Sequence, residues 1–231
     1  MDSVSRFRVN FNINTFYNGK YYWNCFRLNP RNDHQLPSVV VFCGSQRSAV
    51  LGANCGRQLA SHGVHVQVVI PESGISSELY RELSLFRLTK NPVLTNISGK
   101  FLWKTWFQPW LNFCSSKSGI INKSADLIIL AIDDPQLEDL PNKPQPDWLP
   151  AAMQWIKNSR APVMGLDPPP QGTGLELKLS LVGSLPLAHS NANGKLYLCN
   201  LGLPASIYLE LGITFKSPFG PKFIIPIHPK S

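Results

Sequence analysis

Ser38-Val39-Val40-Val41-Phe42-Cys43, stopped at Gly44 and continued by Ser45-Gln46-Arg47-Ser48-Ala49-Val50-Leu51-Gly52, is the stretch on which the fold turns. Its first half is almost continuously apolar and rich in β-branched side chains, the composition of a strand covered on both faces in a parallel sheet. Gly44 to Gly52 reads as a loop, the helical pattern runs on through Leu59, and Gly63 is placed to cap it, since glycine enters the left-handed region without a Cβ penalty. Val64-His65-Val66-Gln67-Val68-Val69-Ile70 then supplies a second strand. Strand, loop, helix and strand make a βαβ crossover, whose connection is right-handed.

Outward from this unit the alternation continues. Ser77 to Leu88 has helical spacing with Leu79, Leu83, Leu85 and Phe86, and Asp126 to Asp133 is a buried strand bounded by acids. Trp148 to Asn158 is a helix with Leu149, Ala152, Met153, Trp155 and Ile156, and Ala161 to Asp167 is a further strand ending in an acid. Such alternation predicts an α/β protein of the doubly wound class. Residues 1–26 are rich in Asn and aromatics with neither period and receive no fold. Residues 27–231 read as one domain with an insertion near 100–122, where Trp103, Trp106, Phe107, Trp110 and Phe113 crowd together around Pro109. Three readings of that insertion stay open: a structural addition, a sticky partner-binding element, or a non-native splice product.

A chain of 231 residues is long enough for one full core, and 43% apolar with 16% charged residues argues against wholesale disorder. The net charge of +8 favours anionic partners such as RNA, although the cations are scattered rather than clustered. The five cysteines contain no C-x-x-C pair, so neither a zinc site nor a disulfide framework is expected; Cys43 and Cys55 read as buried small hydrophobes of a reducing, intracellular compartment. No apolar segment is long enough to span a bilayer, so no membrane is expected as a partner.

In open α/β sheets ligands bind beyond the carboxyl ends of the strands. The ligand-pocket candidates are therefore Gly44, Ser45, Gln46, Arg47 and Gly52 of the first loop, with Asp133 and Asp167 at two other strand ends. The first loop lacks both the G-x-G-x-x-G spacing and the Lys-Ser/Thr of a P-loop, so classical dinucleotide binding is disfavoured and no cofactor is expected, a nucleotide or NAD-like ligand remaining the one alternative. Asp133 and Asp167 could serve a cation, a ribose hydroxyl or a proton transfer, or simply cap turns. The five histidines form no ligand spacing and no local pairing with a nucleophile, so neither a catalytic triad nor a metal is expected. Arg47 and Arg57 are the candidates for RNA contact, with a local ion pair or plain solvation as the competing reading.

From Arg27 onward the chain resembles the YjeF N-terminal domain, in the form found in eukaryotic enhancers of mRNA decapping. The resemblance rests on Arg27-Leu28-Asn29-Pro30, Cys55-Gly56-Arg57-Gln58-Leu59-Ala60, Glu82-Leu83-Ser84-Leu85-Phe86, Leu166-Asp167-Pro168-Pro169, Tyr197-Leu198-Cys199, Ser217-Pro218-Phe219-Gly220 and the run Phe223 to His228. It implies a three-layer αβα Rossmann-like sandwich, homodimerisation, RNA and decapping-complex proteins as partners together with a DEAD-box helicase, and a place in cytoplasmic P-bodies. In the metabolite-repair epimerases of this fold the first loop resembles G-x-G-N-N-G-G-D-G. Here Arg47-Ser48 replaces the paired Asn and Leu51 the Asp, which implies a non-catalytic scaffold. An NAD(P)H-hydrate epimerase or a nucleotide sensor is the alternative. The helices that open the family's domain, and the LSm-type domain ahead of it, are not recognisable in the first 26 residues.

Overall fold

All six side chains of Ser38–Cys43 are buried, which requires a layer on each side of this strand, β1. The computed structural model describes residues 37–44, 47–72, 74–95, 125–132, 148–183, 185 and 187–227. After β1 come α1 (Arg47–Ser61), β2 (His65–Val69), α2 (Ser77–Arg87), β3 (Val93–Leu94), β4 (Leu127–Ala131), α3 (Trp148–Asn158), β5 (Val163–Leu166), β6 (Leu179–Gly183), β7 (Lys195–Cys199), α4 (Ala205–Glu210) and β8 (Ile224–Ile227). The strands form one sheet in the order β3-β2-β1-β4-β5-β6-β7-β8. Every pairing is parallel except the last, in which β8 runs antiparallel to β7.

Alternation along the strands divides the core into two layers. Val39, Val41, Ile129 and Met164 face α1 and α2, where Ala49, Ala53, Leu79, Leu83 and Phe86 are buried. Val40, Phe42, Ile128 and Leu130 face α3, with Ala152 and Ile156 buried and Trp155 tilted over Phe42 at 5.6 Å between ring centroids. Helices on both faces of a mostly parallel sheet make the expected αβα sandwich. A satellite cluster of Val182, Leu198 and Phe219 seats the β8 segment. Cys43 and Cys55 are buried free thiols, as their apolar settings predict.

The structure corrects the sequence reading at one decisive place. The segment expected as a loop to Gly52 turns helical already at Arg47, so Gly52 lies inside α1. A Cβ at Gly52 would stand 2.6 Å from the Ala131 Cβ and 2.9 Å from the Cys43 Sγ. The bare glycine lets α1 press onto the ends of β1 and β4, and this close contact outweighs the weak helix propensity that made Gly52 look like a loop residue. Gly63 caps α1 at φ +84°, as predicted. The sequence pattern assigns no element to β3, β6, β7 or β8; β3 has two residues, and β6 to β8 lie between Gly and Pro-rich connections that blur any period. Residues 1–26, the insertion 100–122, Ser45, Gln46 and Asp133 lie outside the described residues.

Candidate functional site

The sheet order reverses direction between β1 and β4, with the following helices on opposite faces, and this is where a doubly wound sheet opens its crevice. The Gly44 N–H donates to the Ala131 carbonyl at 2.8 Å, tying the end of β1 to the end of β4. That N–H is consequently used within the protein. Arg47 is the first residue of α1 and is exposed, whereas Ser48 is buried and Leu51 packs half-buried on the core. Gly52 stands one turn further on, against the sheet. At this strand end the described side chains therefore offer a guanidinium and an alkyl group beside the positive end of a helix dipole, a setting suited to an anion rather than to a cation.

Two strands away, Asp167 follows β5 with φ +48°, a left-handed conformation that Asp tolerates better than most residues. It leads directly into Pro168-Pro169-Pro170. Its backbone N–H donates to the Leu181 carbonyl at 2.8 Å, and its carboxylate accepts from the Gly183 N–H. Burial raises the pKa of this carboxyl above its ordinary 3.8, while the Gly183 hydrogen bond and the nearby His189 oppose the rise. The side chain is still open to solvent, which limits how far desolvation acts.

His189 belongs to this same corner. Its Nδ1 lies 3.0 Å from the Asn193 amide nitrogen, so the ring accepts there and a neutral imidazole carries its proton on Nε2. Loss of water around the ring holds its pKa below 6.5, partly countered by the Asp167 charge. Asn193 is fully buried; its amide also donates to the Pro169 carbonyl at 2.8 Å, and its own backbone carbonyl accepts from Ser180 Oγ at 2.7 Å. The Asn193 Oδ1 is buried with no partner among the described residues. Cys199 closes β7 in the same neighbourhood, where burial first, and the Asp167 charge second, push its thiol up to about 12. Such a thiol stays protonated at neutral pH and is no nucleophile.

The C-terminal ends of β5 and β7 thus bring Asp167 and Cys199 near His189, which Asn193, just ahead of β7, holds through its amide; of these four only Asp167 stands among the sequence candidates. The others lie on or beside β6 and β7, to which the sequence pattern assigns no strand. The available signal was weak: a His and an Asn four apart, shortly before the apolar Tyr197-Leu198-Cys199. Among the described residues no group of three His, Cys, Asp or Glu side chains is arranged for a metal ion.

Arg57 sits elsewhere. Its Nε donates to Glu82 Oε1, which also accepts from Asn54 Nδ2 at 3.3 Å, so the guanidinium pins α1 to α2. Beside it runs a shallow groove lined by Ala60, Ser61, Leu85, Leu88 and Thr89, facing away from the crevice. No described helix is long and apolar enough to cross a membrane.

Comparison with known proteins agrees with this architecture. The crystal structure of yeast ynu0 superposes with a TM-score of 0.63 over 92% of this chain and 87% of its own, at 14% identity, a likeness of fold. The chain is 35% identical over 205 residues to the Homo sapiens protein named Enhancer of mRNA-decapping protein 3, covering 87% of this chain. It is 36% identical to the Danio rerio protein of that name and 30% identical to the Drosophila melanogaster one. It spans about a third of those relatives, 36% of the human protein and 31% of the fly protein. Residues 16–176 match the profile of the YjeF-related protein N-terminus, and the chain belongs to that family.

Proposed function

We propose that this chain is a non-catalytic assembly module of an mRNA-decapping enhancer. It pairs with a second copy, contacts RNA, and helps decapping complexes gather in cytoplasmic P-bodies; decapping-complex proteins and a DEAD-box helicase are the partners this reading names. The relatives' shared name supports the decapping context. The observation that carries the non-catalytic half is the chemistry of the β1 end, where Arg47 is exposed and Leu51 packs on the core. Neither side chain can supply the neutral or anionic oxygens that would organise a cation and a dinucleotide. Arg47 remains a candidate contact for an anion, while the charge of Arg57 is engaged by Glu82. Sedimentation of the full chain at micromolar concentration, with and without a single-stranded RNA, tests the reading. A dimer that retains RNA is expected; a strict monomer that binds none at physiological salt would sink it.

A second reading draws on Asp167, a non-glycine residue held in the left-handed region at a strand end with a raised pKa. Such a carboxylate suits an NAD(P)H-hydrate epimerase, or a sensor that binds a nucleotide without turnover. Interconversion of hydrate epimers that disappears in Asp167→Ala would replace the first reading by the enzyme. Saturable nucleotide binding in a calorimeter without product would select the sensor.

A further inference from the structure

Exposed cations collect at the end of the sheet opposite the crevice, where the parallel strands begin. Lys157 lies in the last turn of α3, Arg160 just ahead of β5, Lys178 just ahead of β6, and Lys195 opens β7. Backbone bonds hold the three strand starts side by side: Lys178 N–H donates to the Val163 carbonyl at 2.8 Å, and Lys195 N–H to the Lys178 carbonyl at 3.3 Å. All four side chains are exposed, and none of the four takes part in the Arg57–Glu82 ion pair. Within residues 157–163, 176–179 and 194–196 the one acid is Glu176. Asp126, at the start of β4, is occupied by the Ser38 N–H at 2.8 Å.

We infer that this rim is the surface on which the chain tracks the phosphate backbone of single-stranded RNA, an inference that rests on the RNA-contact reading above. Adjacent strands lie about 4.8 Å apart, so the row from β5 to β7 spans roughly 10 Å. A line of exposed point charges at that spacing follows a polyanion, and each contact releases condensed counterions. The large exposed hydrophobics lie elsewhere: Tyr80 and Leu85 on α2, Leu88 just after it, and Leu187, Leu209, Leu211 and Phe223 in segments beyond the opposite strand ends. A rim without large exposed apolar side chains, its Ala161, Pro162 and Leu196 being half-buried, lacks the core of a protein interface, which favours nucleic acid over an acidic protein. It also lacks stacking aromatics, so the contact reads charge and not sequence. The rim, rather than Arg57, then supplies most of the electrostatic binding.

Fluorescence anisotropy of a labelled oligouridine of about 15 nucleotides, titrated with the full chain between roughly 50 and 200 mM salt, tests this. The variant Lys157→Gln/Arg160→Gln/Lys178→Gln/Lys195→Gln is expected to bind roughly tenfold or more weaker at the lower salt. Its plot of log affinity against log salt should be shallower by about 2.8, from about 0.7 per lost phosphate contact, whereas Arg47→Gln should change the slope by no more than about 0.7. Lys178→Gln/Lys195→Gln, which removes two exposed charges, should give about half the effect and serves if the fourfold variant melts abnormally. A wild-type chain that fails to bind the oligonucleotide would overturn the RNA reading and this inference together. A wild-type chain that binds, with both rim variants indistinguishable from it, would overturn the rim alone and leave RNA contact standing. Displacement by polyglutamate as effective as by unlabelled oligouridine would assign the rim to acidic proteins and likewise overturn the inference.

Discussion

Gly52 and His189 place opposite demands on their surroundings. The missing side chain of Gly52 sets how closely α1 approaches β1 and β4, and a methyl group there would stand 2.6 Å from the Ala131 Cβ. Gly52→Ala should therefore destabilise the protein by about 1–3 kcal/mol, the usual cost of overpacking, despite its better helix propensity. A urea titration measures this, and an unchanged midpoint would mean that α1 shifts freely. His189 is favoured neutral by its surroundings, so the unfolded chain takes up the proton more readily than the folded one. Its contribution to stability is present above pH 6.5 and is lost as pH falls through that value toward the depressed one. Melting curves between about pH 5 and 7 should accordingly slope less steeply in His189→Gln than in wild type. Equal slopes would remove His189 from the balance. Asp167 acts in the other direction: with its pKa raised, stability declines as pH climbs above the ordinary carboxyl value of 3.8.

At the scale of the element, α1 is the part whose reading changed most between sequence and structure. Its apolar positions and its terminal Gly63 were legible, because burial periodicity and helix capping are local properties. Its start was not, because Gly52 is accepted into the helix through close packing on the end of β1 and on Ala131 of β4, which lies far off in sequence. The seam between α1 and α2 is held on the outside by Arg57 and Glu82, whose side chains are 27% and 13% exposed. Partial burial places this pair above the typical surface bridge, and a double-mutant cycle with Arg57→Ala and Glu82→Ala should return a coupling of about 1 kcal/mol. A coupling near zero would mean that the two helices are joined by Leu83, Phe86 and their apolar contacts alone.

For the whole molecule, a +8 chain arranges its charge around one sheet, with the Asp167 and Arg47 crevice at the carboxyl ends of the strands and the Lys157, Arg160, Lys178 and Lys195 rim at their beginnings. If two copies pair as proposed, association stabilises the folded state by mass action, and the melting temperature should rise with protein concentration across the micromolar range. A concentration-independent value, with a monomer in sedimentation, would argue against pairing. The sequence by itself determined the doubly wound class, the β1-α1-β2 unit, and the roles of Asp167 and Arg47 as strand-end residues, because continuous apolar runs and glycine stops report burial and local sterics wherever they occur. Only the tertiary structure decided that Asp167 stands near His189 and Cys199, that Asn193 holds His189, and that four scattered cations share one rim. Those neighbours come from separate strands and the connections between them, with Asn193 reaching Pro169 across 24 residues, and strand order and register, which no local pattern encodes, bring them together.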